Sequence, residues 1–118
     1  MSESPLIVKS KTFALKVIQV CKDLRVAKCE SALINQFLRS GTSIGANIRE
    51  AKYAHSKADF VAKLQISLKE CYETEYWIEI AQKANIISED LANSVLHDCG
   101  SIRRILIASI NTAKENAK

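Results

Sequence analysis

With 118 residues, 47% of them apolar and 25% charged, the chain is long enough for one hydrophobic core and too short for two. Three glycines and one proline leave too few turn residues for a sheet-rich fold, and the apolar content excludes a disordered segment. The formal charge of +4 is unevenly spread: residues 1–28 hold six Lys or Arg against two acids, whereas residues 56–85 hold four against five.

The first predicted element is a helix opening either at Ser4-Pro5, where serine caps free amides and proline fits the first turn, or at Ser10. Phe13, Val17, Val20, Cys21 and Leu24 recur at helical spacing and carry it to between Val26 and Lys28. On a helical wheel Lys11, Lys22 and Arg25 fall together opposite this apolar stripe, forming an exposed cationic face. An ordinary solvated face and a polyanion-binding surface both account for those charges.

Ser31 is placed to cap a second helix, whose periodic residues Ile34, Phe37, Leu38, Ile44 and Ile48 run towards Tyr53. Gly41, Ser43, Gly45, Ala46 and Ala51 put small side chains along it. A helix-interior glycine costs about 0.5–1 kcal/mol against alanine, so Gly41 and Gly45 predict compensation by a neighbouring helix at short range. Neither phosphate-loop fingerprint matches this stretch, and Arg39, Asn47 and Arg49 exclude a membrane-span reading of its G-x-x-x-G.

Ser56 with Asp59 resembles a capping box, predicting a break near His55 and a third helix beyond it. Phe60, Leu64, Leu68, Cys71, Ile78 and Ala81 keep its register until Asn85, a residue that tolerates the left-handed conformation following many helix ends. Ser88, Glu89 and Asp90 open a fourth helix that Leu91, Val95, Cys99, Ile102, Leu106, Ile110 and Ala113 describe. Its polar end from Asn111 to Lys118 is expected to fray. Short links make consecutive helices antiparallel neighbours, so residues 1–118 predict one all-α domain, an up-down-up-down four-helix bundle. Ile105 and Ile107 widen the apolar face of the fourth helix, and this excess predicts contact with another subunit.

Tests for chemistry give little. Cys21, Cys29, Cys71 and Cys99 lack C-x-x-C spacing and read as reduced thiols, at least three of them buried, in keeping with a cytoplasmic protein. No long apolar signal region and no apolar run near 18 residues is present, which predicts a soluble chain without a membrane partner. Glu70 and Glu73 invite a di-iron comparison, but neither His55 nor His97 follows a glutamate by three residues, so no metal or cofactor is expected. His97, Asp98 and Ser101 point in different helical directions and make no hydrolytic triad. The expectation is a non-enzymatic protein. Glu70 or Glu73 instead predicts a polar network with Arg39 or Arg49, Asn47 hydrogen-bonding nearby.

The run RSGTSIGANIREA from Arg39 to Ala51, followed by Phe60 to Leu64 and by LKECYETEYW from Leu68 to Trp77, resembles the four-helix-bundle family of 23S rRNA intervening sequence proteins. Asn85 stands where relatives commonly have glycine, a departure confined to a helix cap. Members are encoded in inserts within bacterial 23S rRNA genes or elsewhere in genomes. Relatives include the accessory variability determinant proteins of diversity-generating retroelements. The resemblance implies a ring, a homopentamer, whose basic surface engages RNA or DNA and in some members a reverse transcriptase. Lys11, Lys22, Arg25, Arg103 and Arg104 are the candidate nucleic-acid contacts, with weak base specificity. The competing reading is a protein-interaction scaffold, such as a reverse-transcriptase accessory subunit, whose charges serve solubility alone.

Overall fold

A computed structural model describes residues 4–116 of the chain. The Ile7 amide donates to Ser4 Oγ at 3.3 Å, so the first of the two foreseen openings is used and Pro5 begins α1, Pro5–Val26. This helix closes on Lys28 in the left-handed region, with the Cys29 amide donating to the Leu24 carbonyl at 3.0 Å. That tight exit leaves Glu30 alone to flank α2, Ser31–Lys52. Ser31 is therefore the first helical residue and not the expected cap, and Glu30 makes no capping bond through its side chain. Despite its two glycines α2 is one uninterrupted helix.

Ser56 caps α3, Lys57–Lys83, by accepting the Asp59 amide at 3.1 Å, while Asp59 accepts from the His55 amide at 3.3 Å. The expected box thus forms, reaching one residue further back than usual. Asn85 takes φ 61°, and the Ile86 amide donates to the Ala81 carbonyl at 2.8 Å, the hydrogen-bond pattern of a Schellman ending. Ser88 accepts the Leu91 amide and opens α4, Glu89–Asn116. Helical structure thus persists through most of the segment expected to fray, and residues 117 and 118 lie outside the described part.

The helices pack in cyclic order as an antiparallel four-helix bundle, 49 Å long and 23–24 Å across. The backbones of neighbouring helices approach closely, those of the diagonal pairs α1/α3 and α2/α4 do not, and α1 with α4 is the loosest seam. Phe13, Val17, Phe37, Ile44, Leu64, Ile78, Val95 and Leu106 are among the buried side chains of one shared core.

Both glycines face α1. A methyl group built on Gly41 would lie 2.8 and 2.9 Å from the two γ-carbons of Val17, and one on Gly45 would lie 3.3 Å from Ser10 Oγ. Small donors mark the other close approaches: Ser67 Oγ of α3 donates to the Ile44 carbonyl of α2 at 2.8 Å, and Cys99 Sγ of α4 to the Cys71 carbonyl of α3 at 3.5 Å. The α1–α4 seam is instead bridged by lysines, with Lys16 Nζ 2.6 Å from Asp98 and 2.5 Å from Ser94 Oγ, and Lys9 Nζ 3.4 Å from Ser101 Oγ.

Arg39 of α2 reaches both carboxylates of α3, donating to Glu70 at 3.2 Å and pairing with Glu73, which also accepts from the Trp77 indole at 3.0 Å. Asn47 and Arg49 stand outside this network, contrary to expectation. Asn47 donates to the Ser43 carbonyl within its own helix at 2.8 Å. Arg49 lies ten residues beyond Arg39, about 15 Å further along the axis, too far to share those carboxylates.

Because Val17 is fully buried and β-branched, Gly41→Ala should destabilise by about 1–3 kcal/mol despite alanine's better helix propensity. Gly45→Ala should stay within about 1 kcal/mol of the parent, since Ser10 needs to yield only slightly. Urea denaturation of the two variants checks this contrast. Arg39→Ala should cost about 1–2 kcal/mol, mainly by stranding Glu70, whose side chain is only 13% exposed, and a double-mutant cycle with Glu70→Gln should show coupling.

Candidate nucleic-acid interface

The five candidate cations do not form one patch. Lys11, Lys22 and Arg25 project from the outer face of α1 and are exposed, as the helical wheel requires, but eleven residues separate Lys11 from Lys22, about 16 Å of helix. Arg25 donates to Asn35 Oδ1 at 3.2 Å, and Lys22 has no ion pair or hydrogen bond among the described residues.

Arg103 is half-buried and engaged with α3. Its guanidinium lies 5.8 Å from the Tyr72 ring centre, and its Nε sits 3.2 Å from Glu75 Oε1 without the alignment of a hydrogen bond. Position decides this: Arg103 leans from α4 towards α3, whereas Arg104, one residue on, is exposed and unpaired among the described residues.

The outer α1 face is also more apolar than the sequence reading allowed. Val8, Leu15, Ile18 and Val26 are exposed between its cations, Leu15 by 64% and Val26 by 84%. On the diagonally opposite helix α3, Ile66, Tyr72, Tyr76 and Ile80 are exposed too. On α4, where the sequence predicts an apolar excess, Ile105 and Ile107 are half-buried, and Ile105 lines an open groove with Ile7, Ile48 and Phe60.

Antiparallel packing sorts charge along the bundle. The half that gathers residues 4–15, 42–70 and 103–116 holds ten Lys or Arg against four acids; the half with residues 16–41 and 71–102 holds six against eight. The basic pole contains the α2–α3 turn. Lys22 and Arg25 belong to the other pole, away from Lys11 and Arg104.

At this turn Arg49, Glu50, Tyr53, His55, Asp59 and Lys63 line an open groove of about 500 Å³. Its two carboxylates are engaged, Glu50 with Lys63 at 3.1 Å and Asp59 with the His55 amide. Arg49 has no ion pair or hydrogen bond among the described residues. It also lines a second groove of about 330 Å³ between α1 and α2, floored by Ala14, Gly45 and Ala46 and flanked by Lys11. The sequence reading left Tyr53 and Lys52 without a role; Tyr53 lines the groove at the turn, whereas Lys52 lines a separate groove with Pro5, Ile48 and Phe60, its Nζ 5.7 Å from the Tyr53 ring centre. The signal was present as Arg49, Lys52, Lys57 and Lys63 around the predicted break. A helical wheel projects one helix at a time and cannot join charges across a turn.

Asp98 is tied to Lys16 beside an exposed His97 in the α1–α4 groove. Contact with the Cys71 side chain and then burial push the Cys99 thiol well above its ordinary pKa, and burial raises Cys21, an effect the nearby Arg25 charge opposes. Thiols held protonated are poor nucleophiles and poor metal ligands. Among the described residues no three His, Cys, Asp or Glu side chains gather as a metal site, and no helix is long and apolar enough to cross a membrane.

Comparison with known proteins agrees with this architecture. None of the curated proteins matches the chain. The family model described as 23S rRNA-intervening sequence protein matches residues 3–108. A crystal structure from Bacteroides thetaiotaomicron VPI-5482, described as a protein of unknown function from the S23 ribosomal protein family, is similar with a TM-score of 0.87 and 44% identity. The similarity covers 89% of this chain and 97% of that one. With a bundle of matching shape and a family match over nearly its whole length, the chain belongs to the family of 23S rRNA-intervening sequence proteins.

Proposed function

We propose that this protein is a non-enzymatic, cytoplasmic, ring-forming binder of RNA or DNA, held to the polyanion mainly by charge. The observation that carries this reading is the basic pole, where ten cations face four acids on a domain whose whole formal charge is only +4. Charge concentrated at one end neutralises several phosphates at once, and affinity grows with their number.

Exposed apolar surface supports the ring in this reading. The exposed apolar faces on α1 and α3 lie on opposite sides of the bundle, so a contact that covers both at once pairs two different surfaces. Contacts of this head-to-tail kind close into rings when the rotation allows, and the family resemblance implies five subunits. Bundles standing side by side in such a ring point their basic poles to one rim. Weak individual patches then act together as a multivalent surface. The outer α1 cations Lys11, Lys22 and Arg25 become interface or rim residues in this arrangement, which moves the main phosphate contacts to Arg49, Lys52 and Lys57, with Arg104 nearer the middle of the bundle.

In fluorescence anisotropy, affinity for RNA should fall linearly on a log–log plot against salt, losing about two to three orders of magnitude between about 50 and 200 mM if each complex neutralises several phosphates. A protein that binds neither RNA nor DNA at low salt would overturn the reading in favour of the scaffold alternative. In light scattering, the protein should run as a multiple of 13.1 kDa, and Leu15→Glu should shift it to the monomer mass.

A further inference from the structure

We propose that the α2–α3 turn binds unpaired nucleotides, with the Tyr53 ring stacking on a base while Arg49 and Lys52 hold the flanking phosphates. This deepens the nucleic-acid reading above and rests on it. Three observations support this site, and the ring and the groove path favour single strands over duplex.

The first is the ring itself. Tyr53 flanks the end of α2 and is 68% exposed, with Lys52 Nζ 5.7 Å from its ring centre. An aromatic held in water at a basic pole offers a stacking surface, and every base has a complementary π-face when it is not already stacked in a helix. Phosphate contacts alone would need no such ring.

The second is the charge around the ring. Glu50 is paired with Lys63 and Asp59 caps the turn, so the two carboxylates of the groove are engaged while Arg49 is unpaired among the described residues. An approaching phosphate meets an available guanidinium without first breaking an ion pair. A planar fork of donors suits that contact.

The third is the continuity of the path. Arg49 lines both the groove at the turn and the one between α1 and α2, whose floor is Ala14, Gly45 and Ala46. Small side chains there let a thin, flexible strand lie close to the helices. Together the two grooves make a track past one aromatic and one arginine, the combination that sequence-tolerant single-strand binders use.

The test compares an oligouridylate of about 20 nucleotides with a duplex RNA of similar length, by anisotropy at fixed low salt. Tyr53→Ala should weaken oligouridylate binding by about tenfold or more and leave duplex binding within about twofold, whereas Tyr53→Phe should retain the affinity. Thermal melting followed by circular dichroism should be unchanged in both, because the ring is exposed. Arg49→Ala should weaken both probes and reduce the salt slope by about one. If Tyr53→Ala binds the oligouridylate like the parent, or loses both probes equally, the stacking role is overturned while nucleic-acid binding stands. If the parent binds neither probe, the broader reading fails and this one with it.

Discussion

The close approach of α2 to α1 at Gly41 is the constraint on which the rest of this bundle depends. Val17 fills the space that a side chain at position 41 would take, its γ-carbons coming within 3 Å of where a β-carbon would sit. The cost of helical glycine is offset there by dense packing, because dispersion contacts fall away steeply with even a small gap. Once α2 is seated so low against α1, its adjacent face meets α3 closely enough for Ser67 to reach the Ile44 carbonyl. The Cys99 thiol makes a similar short reach between α4 and α3. Such side-chain-to-carbonyl bonds need backbones near one another, and they fix axial register as well as distance.

The seam between α1 and α4 obeys a different rule. Lysines reaching across to Asp98, Ser94 and Ser101 hold it, and long flexible side chains keep two helices further apart than glycine or serine does. The bundle therefore has three tight sides and one loose one. Arg39, with Glu70, Glu73 and Trp77, adds a directional lock on the α2–α3 side. Networks of this kind contribute less to net stability than to specifying one alignment over its neighbours.

Surface roles divide in a way that the packing explains. The cyclic order of helices sets the outer faces of α1 and α3 on opposite sides, each with exposed apolar residues, while the ends of the bundle collect the helix termini and turns. Charge segregates by end because antiparallel helices bring the first half of α1 and α3 together with the second half of α2 and α4. An apolar side and a cationic end do not compete for the same partner. The proposed ring and the proposed nucleic-acid contact can operate together, and repetition around a ring multiplies what one modest pole offers.

Much of this was legible from residue order. Helical spacing gave four elements, Ser4-Pro5, Ser56 with Asp59, Asn85 and Ser88 marked their ends, and two glycines four apart announced a close neighbour, because each signal is local or repeats along one helix. Lys28 in a left-handed conformation was not legible, since lysine has no preference for it and only the tight exit from α1 demands it. The choice among carboxylate partners, the engagement of Arg103 with α3 and the basic pole belong to the tertiary structure. They depend on which helix lies beside which and at what height, and a pattern read along a single chain carries periodicity and caps but no distance between residues on different helices.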